Sequence, residues 1–209
     1  MGTDLVLIAP LLWQSERWGR ASIGTMNYYG AKELAASFRT VRKNTLTIAE
    51  EIPEDQYSYR PAMGTKTVGE LLTHIAYGWK FQEQVNLVER RSSMEGFDFP
   101  KLMSSLAAES AKPRTKAEIV ALLQSEGEKF AKAVEPLTDE FLGERVTMPE
   151  GGSPPFRTRF DMLASVKEHE MHHRGQLMLI ERMLGITPHL TRAHQARMAA
   201  APALAGQSA

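Results

Sequence analysis

Apolar residues recur along this chain at intervals of three and four, the spacing of one face of an α-helix. Leu34, Phe38, Val41, Thr45, Ile48 and Ile52 form the first such stripe; it begins around Asn27 and Pro53 stops it. Thr67-Val68-Gly69-Glu70 fits a capping box, in which Thr and Glu side chains satisfy free backbone N–H groups. It opens a second helix, with Val68, Leu71, Leu72, Ile75 and Trp79 on its apolar face, running to about Arg91. Thr115-Lys116-Ala117-Glu118 is another capping box. The third helix behind it carries Ile119, Leu122, Leu123, Phe130 and Val134 and ends at Pro136. A fourth spans about Thr158 to Leu184, with Gly185 as its C-cap and Pro188 barring continuation.

The stretches between these helices are punctuated by glycine and proline. Glu54 to Lys66 is a short linker with Pro61 and Gly64. Residues 92–114 are a long connection, with a short helix expected within Lys101 to Ser110. A connection of this length can cross over a bundle instead of joining adjacent antiparallel helices. Pro149 to Pro155 reads as a loop, and no segment reads as a good strand. The expected fold is all-α, a four-helix bundle over residues 27–188. An irregular N-terminal arm, residues 1–26, precedes it, and an Ala-rich tail, residues 189–209, is expected to fray.

Composition narrows the chemistry. The chain has 209 residues, 43% of them apolar, enough for one sizeable core. Lys plus Arg number 25 and so do Asp plus Glu, so the basic excess of a phosphate-neutralising nucleic-acid binder is missing. No apolar run reaches the length of a membrane span; the longest, Leu5 to Trp13, is broken by Pro10. The expectation is a soluble, cytoplasmic protein acting on a small molecule, with neither nucleic acid nor membrane as partner. Cysteine is missing altogether, which excludes disulfides, thiolate zinc sites and a Cys nucleophile. Metal chemistry must then rest on His, Asp and Glu.

The histidines carry the most information. Met162, Val166, His169, His173, Leu177, Ile180 and Leu184 fall on one stripe of the fourth helix, so His169 and His173 point where the core points. They stand one turn apart and can approach a shared point, whereas His172 falls on a flank. Two imidazoles on a core face need partners, and a divalent ion satisfies both at once. His74, at the edge of the second helix's apolar face, is the natural third ligand. The plainer alternative keeps His169 and His173 as core or rim histidines bonded to side chains. His169-Glu170-Met171-His172-His173 is also literally H-E-x-x-H, the zincin signature, with Glu170 as general base. Gln176 stands where the metzincin extension has Gly, and no strand is present to align a peptide. Glu170 reads better as a solvated or hydrogen-bonded neighbour. Glu126, on the third helix's apolar face, lies at a pocket mouth or pairs with a base. Gln176 can orient a ligand, and Trp13, Trp18 and Trp79 read as packing residues.

In these residues the chain resembles the DinB/YfiT-like superfamily of small helical metalloproteins. The resemblance covers most of residues 27–188. It is carried by His169-Glu170-Met171-His172-His173-Arg174-Gly175-Gln176-Leu177 with Leu184-Gly185-Ile186-Thr187-Pro188, and by Thr67 through Ile75 with its single His74. Arg42-Lys43-Asn44-Thr45-Leu46, ending near Ile52-Pro53, resembles the family's first helix. The resemblance implies a four-helix bundle holding a divalent metal, zinc or nickel foremost, on His74, His169 and His173. It also implies a homodimer. The better understood branches are transferases using bacillithiol, mycothiol or glutathione, and a maleylpyruvate isomerase. A thiol-dependent S-transferase is therefore the first expectation, and its low-molecular-weight thiol would be external, since the chain has no Cys. A metal-dependent hydrolase and a non-catalytic metal-binding, stress-associated protein are the alternatives.

Overall fold

The computed structural model describes residues 29–205, with side chains through Ala200. The expected arm over residues 1–26, with Trp13 and Trp18, and the helix start at Asn27 lie outside the described residues. Helix α1 is Ala31–Glu51, α2 Val68–Tyr77, α3 Lys80–Gln82, α4 Phe99–Ser110 and α5 Lys116–Val134. They are followed by α6 (Asp139–Gly143), strands β1 (Arg145–Thr147) and β2 (Phe156–Thr158), α7 (Arg159–Met183) and α8 (His189–Ala205). The bundle is made by α1, α2, α5 and α7: α1 and α2 each pack against both α5 and α7.

The local signals act as the sequence implies. Thr67 Oγ1 accepts from the Glu70 N–H at 3.2 Å while Glu70 accepts from the Thr67 N–H at 2.7 Å. Thr115 and Glu118 repeat the exchange at the head of α5. The whole predicted stripe of α1, Leu34 through Ile52, is buried. Gly185 sits at φ +78°, the left-handed conformation that lets a helix end there.

Three elements differ from the sequence reading. The second helix does not run unbroken to Arg91: α2 ends at Tyr77, a turn at Gly78 and Trp79 leads into α3, and Glu83–Val88 winds as a π-helix. Strands β1 and β2, with Arg145 opposite Thr158, form a small hairpin around the Pro149–Pro155 loop. Each is three residues long, too short to show an alternating pattern. The Ala-rich tail is helical as α8 through Ala205, consistent with alanine's high helix propensity. It is tied to α1 where Arg192 pairs with Glu51 at 2.5 Å and His189 meets Asn44 Oδ1 at 3.3 Å.

Two apolar clusters fill the bundle. One holds Ile48, Leu72, Ile75, Leu123 and Leu177; the other holds Phe38, Trp79, Phe130 and Leu163. On α1, α5 and α7 polar residues fall in sequence between the two: Arg42, Glu126, and His169 with Glu170 and His173; on α2, His74 stands between Leu72 and Ile75 of the first cluster. Among the described residues no helix is long and apolar enough to cross a membrane.

Candidate metal centre

His74 comes from the last turn of α2, and His169 and His173 from successive turns of α7. The bundle brings their Nε2 atoms together: His74 to His169 at 3.0 Å, and His173 to His169 at 3.1 Å. The three rings stand 69–84° to one another, so their edges converge without stacking. An imidazole Nε2 carries either one proton or one lone pair in its plane. The His169 Nε2 therefore cannot make a good hydrogen bond to both neighbours, which weakens the reading of these residues as ordinary core histidines. Two nitrogens on one ion, each at about 2.0–2.1 Å, stand about 3 Å apart. The cluster could hold a metal ion.

Electrostatics favour the ligand form. Burial, followed by the His169 and His173 rings, pushes His74 down to about 4. Burial, followed by His173 and His172, does the same to His169. His173 is lowered too, mainly by burial. All three are neutral near pH 7, as a metal requires. The tautomer of His173 is set from outside the cluster: its Nδ1–H donates to Gln176 Oε1 at 2.7 Å, leaving Nε2 a lone pair. The Gln176 amide in turn reaches the exposed His172 at 3.3 Å, so His172 stands one step removed from the convergence point.

The supporting residues are less visible in sequence. A Cβ built on Gly78 would stand 2.7 Å from His169 Nδ1, so only glycine lets α2 pass this close to the ring. A lone glycine inside a helical apolar pattern is the one signal that could have marked it. Glu170 is buried and receives Arg42 Nε at 2.9 Å and Arg42 Nη2 at 2.9 Å. Arg42 also donates to the Leu123 carbonyl at 2.5 Å, and a Cβ on Gly127 would collide with its side chain. Glu170 is thus hydrogen-bonded, as expected, but not solvated. A carboxylate so committed does not serve as the general base of the zincin reading. The signal for Arg42 was a cation inside the apolar stripe of α1.

Glu126 pairs with bases: Lys129 at 2.6 Å and Lys80 at 3.3 Å. The Trp79 indole N–H adds a bond at 3.1 Å, and Trp79 is a packing residue, 2% exposed. Arg174 makes no hydrogen bond to the cluster among the described residues.

The DinB superfamily profile matches residues 37–177. YjoA of Bacillus subtilis, described as an uncharacterized protein, is 27% identical over 157 residues, 75% of this chain and 92% of its own length. The crystal structure of that DinB-like protein superposes with a TM-score of 0.54 at 25% identity, covering 74% of this chain and 93% of the other. YfiT, also from Bacillus subtilis, superposes with a TM-score of 0.57 at 19% identity over 81% of this chain and 94% of its own. YfiT has an unusual four-helix bundle topology.

Proposed function

This chain belongs to the DinB superfamily, and on that premise we propose that it is a divalent-metal-dependent hydrolase of a small molecule, with His74, His169 and His173 as the metal ligands. The observation that carries the reading is the approach of three neutral Nε2 atoms at 3.0 and 3.1 Å around one point. YfiT is described as a probable metal-dependent hydrolase, which favours the same reaction class here.

A divalent ion, zinc or nickel, would supply Lewis acidity and a nucleophile ionised near neutral pH. The chain's own residues do the rest. Gln176 holds the His173 tautomer, Gly78 admits the His169 ring, and the Arg42–Glu170 pair fixes α7 against α1. Three protein ligands leave room for substrate beside them.

Thiol transfer, the first expectation from the resemblance, would use the same ligands. It needs an external thiol, and no feature among the described residues selects one. A cytoplasmic location and a homodimer remain part of the proposal. Trp79 and Val85, apolar residues beyond the end of α2, are buried in this chain's own core and offer no dimer surface. Met171, Leu179 and Met183, exposed along one side of α7, offer the better surface.

The test is elemental analysis of protein purified without a nickel column, followed by an ester and amide panel with and without added thiols. About one ion per chain and thiol-free, metal-dependent hydrolysis are expected. Turnover that requires thiol would reassign the site to transfer. Protein that binds no ion would end the metal reading.

A further inference from the structure

A half-open cavity of about 740 Å³ lies between α2, α3, α4 and the 60–66 segment, with His74 and His169 among its lining residues. That volume suits a small organic ligand. Its roof is α4, a helix with no buried residue. Phe99, Met103 and Leu106 nevertheless follow helical spacing and line the cavity, joined by Phe81 from α3. The apolar face of α4 thus covers the cavity instead of packing into core.

Two end contacts hold α4 in this position. At one end the Phe99 and Phe81 rings meet edge to face at 5.6 Å. At the other, Glu109 accepts from Tyr77 Oη at 3.2 Å and from Arg114 Nη2 at 3.0 Å. Between these ends the helix bridges open space lined by apolar side chains.

Charge is concentrated at the histidine end. Arg60 and Lys66 both line the cavity, but Arg60 is paired with Glu70 at 3.1 Å. Lys66 has no carboxylate within ion-pairing distance among the described residues. The cavity therefore has a largely apolar lining and, among the described residues, one cation without an ion pair, Lys66, which shares that lining with His74 and His169.

We propose that this cavity binds an amphipathic organic anion, with its apolar chain or ring under α4 and its anionic group at Lys66. The assignment of this ligand as substrate rests on the proposed metal-dependent hydrolase, whereas its binding does not.

The experiment measures binding of straight-chain alkanoates and matching alkanols, from two to ten carbons, to the full chain by calorimetry, with metal content determined on the same samples. Alkanoate affinity should rise about three- to fourfold per methylene until the cavity is filled. Alkanols of equal length should bind at least tenfold more weakly. Lys66→Gln should erase that preference while sparing alkanol binding, and Leu106→Gln should flatten the chain-length dependence. His169→Ala separates the two readings: it should lose the metal and keep the chain-length dependence. Affinity that ignores chain length, or a Lys66→Gln variant that still prefers alkanoates, would overturn the inference whatever the metal content. Wild type without metal that binds alkanoates as described would instead overturn the hydrolase and leave the cavity assignment standing.

Discussion

Arg42 of α1 and Glu170 of α7 form an ion pair at 2.9 Å in the middle of the bundle, with side chains 5% and 2% exposed. Glu170 is the next residue after His169, so the pair anchors the ligand helix from behind. Removing one partner of a buried pair leaves the other charged and unsolvated, at a cost of about 3–5 kcal/mol. Glu170→Ala should lose about that much stability in urea titrations. The double variant Arg42→Met with Glu170→Met should recover much of it. Metal stoichiometry should survive in the folded fraction of both. A catalytic base would behave differently: Glu170→Ala would remain stable and lose turnover alone.

The ligand set makes a sharper statement. His169→Ala and His173→Ala should each abolish stoichiometric metal binding, because two ligands remain of three. His172→Ala should retain it, since that exposed ring packs edge-on against His173 and bonds the Gln176 amide, and its nitrogens are not among those that converge. Gln176→Leu should weaken affinity about 10- to 100-fold by freeing the His173 tautomer. Metal retained in His173→Ala but lost in His172→Ala would reverse the assignment.

Gly78 is predicted to be intolerant of any side chain. Gly78→Ala places a Cβ 2.7 Å from His169 Nδ1 and 2.9 Å from Cε1, distances that real contacts do not show. The imidazole must rotate or α2 must withdraw, and either breaks the convergence of the Nε2 atoms. Metal affinity should fall by at least tenfold, with little change in far-ultraviolet circular dichroism. Because helix propensity favours Ala over Gly by about 1 kcal/mol, α2 itself should not unfold. Unchanged metal affinity in Gly78→Ala would remove Gly78 from the site.

What could be read in advance follows from how local each signal is. The α1 stripe, the two capping boxes and the His169–His173–Leu177 stripe are properties of a few neighbouring residues, and the structure repeats them. Glu170 binding Arg42 across 128 positions is not local, and nor is the His169 ring that Gly78 accommodates. The break after Tyr77 falls at Gly78 and Trp79, which both keep right-handed helical backbone, so the apolar spacing carries no mark of it and reads as one helix to Arg91. Strands of three residues carry too few positions to alternate. The apolar face of α4 was visible only as a short helix, because its spacing does not reveal that it covers a cavity.

Assembly is tested on α7. Met171, Leu179 and Met183 are 43%, 60% and 51% exposed along one side of the helix. If this side joins two copies, light scattering at micromolar concentration should give about twice 23.3 kDa. Leu179→Glu should return the mass to that of one chain, because a buried unpaired carboxylate opposes association. A wild-type mass of one chain would rule the homodimer out.

Glu181 provides a pH test independent of the metal ligands. Its side chain is fully buried in α7, and neither carboxylate oxygen has a hydrogen-bond partner among the described residues. Burial first, then the nearby Glu51, raises its pKa from 4.5 to about 7, against the opposing pull of Arg192 and Arg182. Between those values the folded chain holds a proton at Glu181 that the unfolded chain has released. Stability contributed by this group therefore falls as pH rises from about 4.5 to about 7, and is level above. The buried histidines act in the opposite sense over part of that range, so the wild-type curve alone does not isolate Glu181. The difference between wild type and Glu181→Gln does, because glutamine does not titrate. Relative to wild type, Glu181→Gln should gain about 1–3 kcal/mol between pH 4.5 and pH 8. A difference that stays constant across that interval would mean that Glu181 titrates near its ordinary value, and that its carboxylate is paired in solution.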